Sequence, residues 1–174
     1  MDRRVEKTKS AIKHEVINSL NTNEIEKITV KSICDKININ RSTFYLHYST
    51  INDVIDEIED NIIQDICAFC NKNYDTITLV YNVALYVKDN LNTIKPMTKN
   101  IRAHFFNRLS KSITPILLDT LQSGSKSHIK NIDYIVHFIL GGSLQTFKVW
   151  VENDCKENVN AIIFDFLRTL RIKL

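Results

Sequence analysis

Apolar residues recur every three or four positions along much of the chain, and this spacing predicts amphipathic helices. Between Thr8 and Leu20 one face carries Ile12, Val16, Ile17 and Leu20. Val30 to Ile37 continue the spacing behind Thr29, whose side-chain oxygen can accept an amide hydrogen bond as an N-cap. Asn38-Ile39-Asn40 interrupts the pattern, because Asn tolerates the left-handed backbone of a tight turn. With Asn40 as its cap, a third short helix is expected from Arg41.

A longer helical pattern follows, and it completes an all-helical prediction. Thr50 and Asp53 have the spacing of a capping box, and isoleucines then form one stripe (Ile51, Ile55, Ile58, Ile62, Ile66). Further helices are expected at 75–90, 100–122, 132–153 and 157–172, with Pro96 and Gly124 among the breaks. Pro115 should kink or split the 100–122 helix, since proline removes an amide donor. With 3 Gly and 2 Pro, the chain has few residues to punctuate a sheet.

Composition indicates a globular protein of the cytoplasm. The chain is 44% hydrophobic and 25% charged. Its first residues lack the apolar core of an ordinary secretory signal. The longest uncharged apolar stretch, Tyr134 to Phe147, falls short of the roughly 18–20 residues that cross a bilayer, so no membrane partner is expected. The four cysteines have no framework spacing and are expected to be reduced packing residues.

The positive charge is concentrated at the N-terminal end. Residues 1–50 carry nine Lys or Arg against six acids, whereas the remaining 124 residues carry 14 of each, so the net charge of +3 belongs to the first fifty residues. A polyanionic partner should therefore meet that end.

Two short helices joined by a three-residue turn have the dimensions of a helix-turn-helix over Thr29 to Tyr48. Phe44 and Tyr48, at i and i+4, can hold one side of the second helix against a core. Its other side would enter the major groove of double-stranded DNA, with Arg41, Ser42 and Thr43 facing bases. Tyr45, His47, Thr29 and Lys31 would contact phosphates, and Arg3 and Arg4 would form a mobile basic arm.

The runs Ile28-Thr29-Val30 and Ile39-Asn40-Arg41-Ser42-Thr43-Phe44-Tyr45-Leu46-His47-Tyr48 resemble the DNA-binding head of the TetR (tetracycline repressor) family, over roughly residues 3–65. The resemblance implies a bacterial, all-helical homodimer that binds a palindromic operator. It also implies a variable C-terminal domain that senses a ligand or a partner. Two positions depart from the family pattern: Asn38 replaces a turn glycine, and Ile51 stands where a phosphate-binding Lys is common.

These observations divide the chain into a head (residues 1–50, with the motif at 29–48), a connecting helix (51–71) and a body (72–174) for dimerisation and effector binding. The expected function is repression, relieved when a small ligand tilts the connecting helix and changes the spacing of the two heads. Gly141 and Gly142, inside a predicted helix, suggest close helix approach or a bend. A co-activator that senses a protein partner is the alternative.

Candidate ligand residues are the body's aromatic and histidine side chains, although such residues at helical spacing are usually core. They are Tyr86, His104, Phe105, Phe106, His137, Phe138 and Trp150. We expect no cofactor and no metal, because Cys67 and Cys70 have no second pair. An enzyme is disfavoured by the lack of a phosphate-binding Gly loop or nucleophile elbow. The acids Asp53, Asp56, Glu57, Glu59 and Asp60 are expected on a solvated face.

Overall fold

In a computed structural model, every regular element of the described residues (3–72, 76–100, 104–124 and 130–169) is helical, which confirms the all-α prediction. The N-terminal half contains α1 (Arg3–Thr22), α2 (Val30–Ile37), α3 (Arg41–Tyr45) and α4 (Ile51–Cys70), with a single 3₁₀ turn at Ile25–Lys27. The rest contains α5 (Thr76–Asp89), α6 (Leu91–Asn100), α7 (His104–Gly124), α8 (Ile132–Glu152) and α9 (Val159–Thr169). None of the described helices is both long enough and apolar enough to span a membrane.

The head forms because three helices, α1, α2 and α3, bury one face each. Ile12 and Val16 of α1, Ile33 of α2 and Phe44 of α3 are completely buried. Between α2 and α3, Asn38 has φ 54° and ψ 51°, the left-handed conformation expected from its sequence context. The expected mobile arm at Arg3 and Arg4 is wrong, because α1 already begins at Arg3.

Helix α4 begins at the predicted capping box and joins the head to the body. The Thr50 hydroxyl accepts a hydrogen bond from the Asp53 amide at 3.2 Å, and the Asp53 carboxylate accepts one from the Thr50 amide at 3.0 Å. The isoleucine stripe is buried along the whole helix, from Ile51 to Ile66. The buried apolar residues of head and body consequently form one cluster.

The acidic residues of α4 are less solvated than the sequence suggested. Asp53 caps the helix, while Glu57 accepts ion pairs from Lys9 and Lys13 of α1 at 2.7 and 3.3 Å. The side chain of Glu59 is only 1% exposed and pairs with Arg108 of α7. The expectation of a uniformly solvated face was wrong because oppositely charged residues of two other helices pack against it.

Both prolines of the body lie inside helices, contrary to the predicted breaks. Pro115 neither splits nor ends α7; it is exposed, as is Lys111 four residues earlier. Water can therefore reach the carbonyl that lost its amide partner. Pro96 is buried within α6, a helix that the spacing of apolar residues did not predict.

The carbonyl that Pro96 frees has a partner in the head. A proline leaves the carbonyl four residues earlier without its helical donor, and here that carbonyl belongs to Asn92. It accepts a hydrogen bond from the Asn21 side-chain amide of α1 at 3.1 Å. Helix α6 packs along α1, so the body contacts the head both here and through α4.

Candidate DNA-binding face and ligand cavity

Helix α3 is held from one side only, which leaves the other side exposed. Phe44 is completely buried, Tyr48 is nearly so, and their ring centroids are 5.9 Å apart. On the opposite side Arg41 and Ser42 are exposed and Tyr45 is 56% exposed, whereas Thr43 and His47 are half-buried. The structure thus brings all five side chains to the surface of one short helix and the turn that follows it.

Helix α2 adds two candidate residues beside α3. Thr29 is the N-cap of α2, and its hydroxyl accepts a hydrogen bond from the Ser32 amide at 3.1 Å. Lys31 lies in the first turn and is exposed. The oxygen of the Thr29 hydroxyl therefore caps α2. The phosphate contact expected of Thr29 would use the proton of the same hydroxyl, which capping does not require.

Ion pairs distinguish the Lys and Arg side chains that hold the head together from those that remain free to bind an anion. Lys9 and Lys13 pair with Glu57, and Lys36 pairs with Glu15 at 2.8 Å. Lys31 and Arg41, by contrast, form no ion pair with any residue in the described part of the chain. Their charge is available to an outside anion.

Behind the exposed face, Glu57 connects α1, α4 and the aromatic residues of the head. Burial alone would raise the pKa of Glu57, but hydrogen bonds from Lys9 and Lys13 outweigh it and hold the pKa below its ordinary value. Burial, and then the charge of Glu57, raise the pKa of the Tyr48 phenol, while the Lys9 ammonium lies 5.3 Å from the Tyr48 ring centroid. Lys9 therefore contacts both the Tyr48 ring, which follows α3, and the Glu57 carboxylate of α4.

Sequence reasoning missed Leu46, which follows α3 and is 79% exposed. An exposed leucine beside polar groups can contact a thymine methyl group in the major groove. The signal was available in the sequence: Phe44 and Tyr48 define the buried side, and Leu46 lies midway between them on the other.

The body contains an apolar cavity of about 170 Å³ between α4, α5, α6, α7 and α8. Its walls include Ile62 and Ile66 of α4, Ile94 of α6 and Phe105 of α7. Cys70 also lines it, and burial raises the pKa of this thiol to about 11, which keeps it protonated at neutral pH.

A more polar pocket of about 500 Å³ adjoins this cavity. Four residues line both spaces: Thr98, Phe106, Leu144 and Lys148. The polar pocket is also lined by Asn107 and Ser110 of α7 and by His137 and Gln145 of α8. The two spaces therefore share part of their walls.

The candidate ligand residues have different positions. Phe105 and Phe106 line the cavity, and His137 lines the polar pocket. Three others do not line the cavity. Tyr86 donates its hydroxyl to Asp65 at 2.9 Å, Trp150 is buried and donates to the Glu157 carbonyl at 3.0 Å, and Phe138 is 73% exposed. The side chain of His104 lies outside the described residues.

Lys148 was not selected from the sequence, although a signal existed. It is the only Lys, Arg, Asp or Glu between Tyr134 and Val151. Burying a single charge in so apolar a helix costs free energy unless the charge has a partner. In the described part of the chain, no three His, Cys, Asp or Glu side chains lie together as a metal site would need.

The helical arrangement matches those of solved transcriptional regulators. A TetR transcriptional regulator from Streptococcus agalactiae is 23% identical over 97% of this chain and 96% of its own, with a TM-score of 0.75. The activator of a dihydroxyacetone kinase operon is 17% identical over 95% and 97%, with a TM-score of 0.64. A gamma-butyrolactone receptor is 14% identical over 86% of both chains, with a TM-score of 0.56. At these identities the likeness establishes the fold. No curated protein sequence gives a significant match.

The family follows from the sequence of the body. Residues 75–171, more than half of the chain, match a family model described as the C-terminal region of a transcriptional regulator. The chain therefore belongs to the TetR family of transcriptional regulators, as the head motif implied.

Proposed function

We propose that this protein is a homodimeric, sequence-specific DNA-binding repressor of the bacterial cytoplasm, which releases its operator when a small ligand occupies the body. One observation carries the DNA-binding part. The exposed side of α3 presents Arg41, without an ion pair among the described residues, together with Ser42 and Tyr45 on a rigid, buried base. A cation and hydroxyls on an exposed helix suit base edges and phosphates.

An apolar face of α8 supports a dimer. The exposed α8 face consists of Tyr134, Phe138, Gly142 and Val149, and the first two are 78% and 73% exposed. A Cβ atom added at Gly142 would meet none of the described residues within 4 Å, so packing among these residues does not require the glycine. Glycine in the middle of an apolar face allows another helix to approach closely. A second copy of the same face would complete a two-fold interface and place two α3 helices on one operator.

The position of the cavity supports control by a ligand. Its walls include α4, which leads to the head, and α6, which packs on α1. A ligand that favours one tilt of α4 would shift the population of head spacings. One structural relative is named as a receptor for a gamma-butyrolactone, which is consistent with a small-molecule effector for this fold.

Selection of bound duplexes from a random DNA library, followed by titration of the selected duplex, tests the DNA-binding part. Arg41→Ala and Tyr45→Ala should each weaken specific binding by about 1–3 kcal/mol, and affinity should fall steeply with salt. Lys156→Ala removes an equal charge from the exposed surface of the body and should leave affinity unchanged. Equal binding by all four proteins, or binding that does not depend on salt, would refute the proposal.

Activation with a protein partner is the second candidate. A structural relative is named as an operon activator, and the buried Ile51 of this chain cannot replace a phosphate-binding lysine. If the pure protein selects no duplex but does so after addition of a second polypeptide from the same cells, this candidate replaces the repressor. Tight binding by the pure protein, with lower transcription from the selected site, eliminates it.

A further inference from the structure

The cavity and the polar pocket together form a space that is apolar at one end and polar at the other. The cavity walls are almost entirely aliphatic or aromatic, from Ile62 on α4 to Phe147 on α8. The pocket beyond Phe106 has hydroxyl, amide and imidazole groups. A ligand that fills both must carry an apolar part and a polar part.

The charge of the lining determines which polar part fits. Among the described residues that line either space, none is Asp or Glu, and the only Lys or Arg is Lys148. Lys148 is half-buried and forms no ion pair with any described residue. A partly desolvated ammonium group without a carboxylate favours an anion. Gln145 lines the same pocket, and its amide group can donate a further hydrogen bond to an anion, whereas the Thr98 hydroxyl already donates to the Lys95 carbonyl at 2.9 Å.

The size of the cavity limits the apolar part. An engineered cavity of about 150 Å³ takes one benzene molecule, and this cavity measures about 170 Å³. It therefore suits one ring or a chain of about six carbon atoms.

We infer that the effector is a small amphipathic carboxylate, with its apolar group in the cavity and its carboxylate on Lys148. This inference rests on the proposed function, because it names the ligand class for the cavity that would control the head.

Calorimetric titration with hexanoate, hexan-1-ol and hexylamine tests the inference, since the three probes share a chain and differ in charge. Hexanoate should bind roughly tenfold more tightly than hexan-1-ol, which corresponds to about 1.4 kcal/mol, and hexylamine should bind most weakly. Benzoate in parallel shows whether the cavity accepts a ring as well as a chain. The single tryptophan, Trp150, gives a second signal because its ring centroid lies 6.1 Å from that of the cavity residue Phe147.

Two variants and a control locate the binding. Lys148→Met should remove the preference for hexanoate while leaving the affinity for hexan-1-ol unchanged. Val83→Phe should fill the cavity and weaken every probe. Lys111→Met, on the exposed surface of α7, should change none of them. An equal affinity for the three six-carbon probes, a preference that survives Lys148→Met, or no saturable binding would each overturn the inference.

Failure here and failure of the proposed function can be told apart. If the ligand-free protein binds its selected duplex but no carboxylate, the inferred ligand class is wrong and the DNA-binding proposal stands. If carboxylates bind through Lys148 but no duplex is bound, the ligand class stands and the repressor proposal fails.

Discussion

The turn between α2 and α3 depends on the backbone of one residue, Asn38. Its φ angle of 54° lies in the left-handed region that most L-residues avoid. Asn adopts it more readily than other side chains, so it can stand where the family has glycine. Asn40, expected as a side-chain cap, occupies the N-cap position of α3 but makes no capping hydrogen bond, which corrects that expectation.

Replacing Asn38 by alanine should therefore destabilise the protein by about 1 kcal/mol, because a Cβ-bearing residue without a local polar group is strained in this conformation. Asn38→Gly should be close to neutral. Asn40, two residues away, has an extended backbone with a negative φ and serves as the matched position. Asn40→Ala should change the unfolding free energy by no more than about 0.5 kcal/mol. Urea unfolding measures all three, and equal effects at both positions would contradict the role given to the left-handed turn.

At the residue scale, the sequence predicts which side chains are buried better than it predicts which exposed side chains bind a partner. Phe44 and Tyr48 are buried, and this follows from their i, i+4 spacing because burial repeats with the helix period. Trp150 and Phe138 show the limit of that reasoning. Both belong to one apolar helix, yet one is buried and the other exposed, and the difference depends on which side of α8 packs against α6 and α7.

At the scale of elements, periodicity located the ends of most helices but not helix α6. Leu91–Asn100 contains a proline, and its apolar residues face two neighbours, the cavity through Ile94 and the head through α1. Leu91, Ile94 and Met97 do recur every three positions, but Pro96 lies between the last two, and an internal proline is typical of a helix break. Local sequence therefore could not predict the element that connects the cavity to the head.

Helices α4 and α7 are joined by a charged contact that the sequence also did not predict. The Arg108 guanidinium donates to Glu59 at 2.8 Å, pairs with Asp60 and lies 3.7 Å from Asp56. Arg108 is flanked along the chain by Asn107 of the polar pocket and Leu109 of the cavity. A ligand that displaced α7 would therefore also displace α4 through these ion pairs.

Arg108→Met should cost roughly 3 kcal/mol of unfolding free energy, because it removes the guanidinium that pairs with the buried Glu59 carboxylate. The double variant Arg108→Met with Glu59→Met should recover much of the loss, since both charges are then removed. Lys111→Met, one turn further along α7 on its exposed surface, serves as the control. A double variant as unstable as the sum of its parts would show that the pair is not coupled.

At the scale of the whole molecule, the proposed dimer rests on the exposed α8 face. Isolated exposed apolar side chains are ordinary, but Tyr134, Phe138 and Val149 lie on one side of a single helix around Gly142. The sequence predicted close approach or a bend at the glycines. None of the described residues lies within 4 Å of a Cβ atom built at Gly142, and under the proposed dimer the close approach would come from a second chain.

Gly142→Leu should make the protein monomeric without unfolding it. A Cβ atom at this position lies within 4 Å of none of the described residues, and leucine favours a helix by about 0.8 kcal/mol over glycine, so the monomer itself should not be destabilised. Phe138→Asp should give the same result through charge. Leu85→Asp, at an exposed apolar residue of α5, should leave the assembly intact. Light scattering after size exclusion distinguishes the outcomes, and a Gly142→Leu protein that remains dimeric would exclude this face.

The hydrogen bond from Asn21 to the Asn92 carbonyl has a consequence for how such regulators diversify. The donor lies at the end of α1, whereas the side chains offered to DNA belong to α2 and α3, so the two can vary independently. A lineage could acquire a new operator by changing α3 alone and keep its response to the effector. A hybrid that joined this body to the head of a relative would lose that contact with the carbonyl freed by Pro96, unless the relative also carried a donor at the end of its first helix.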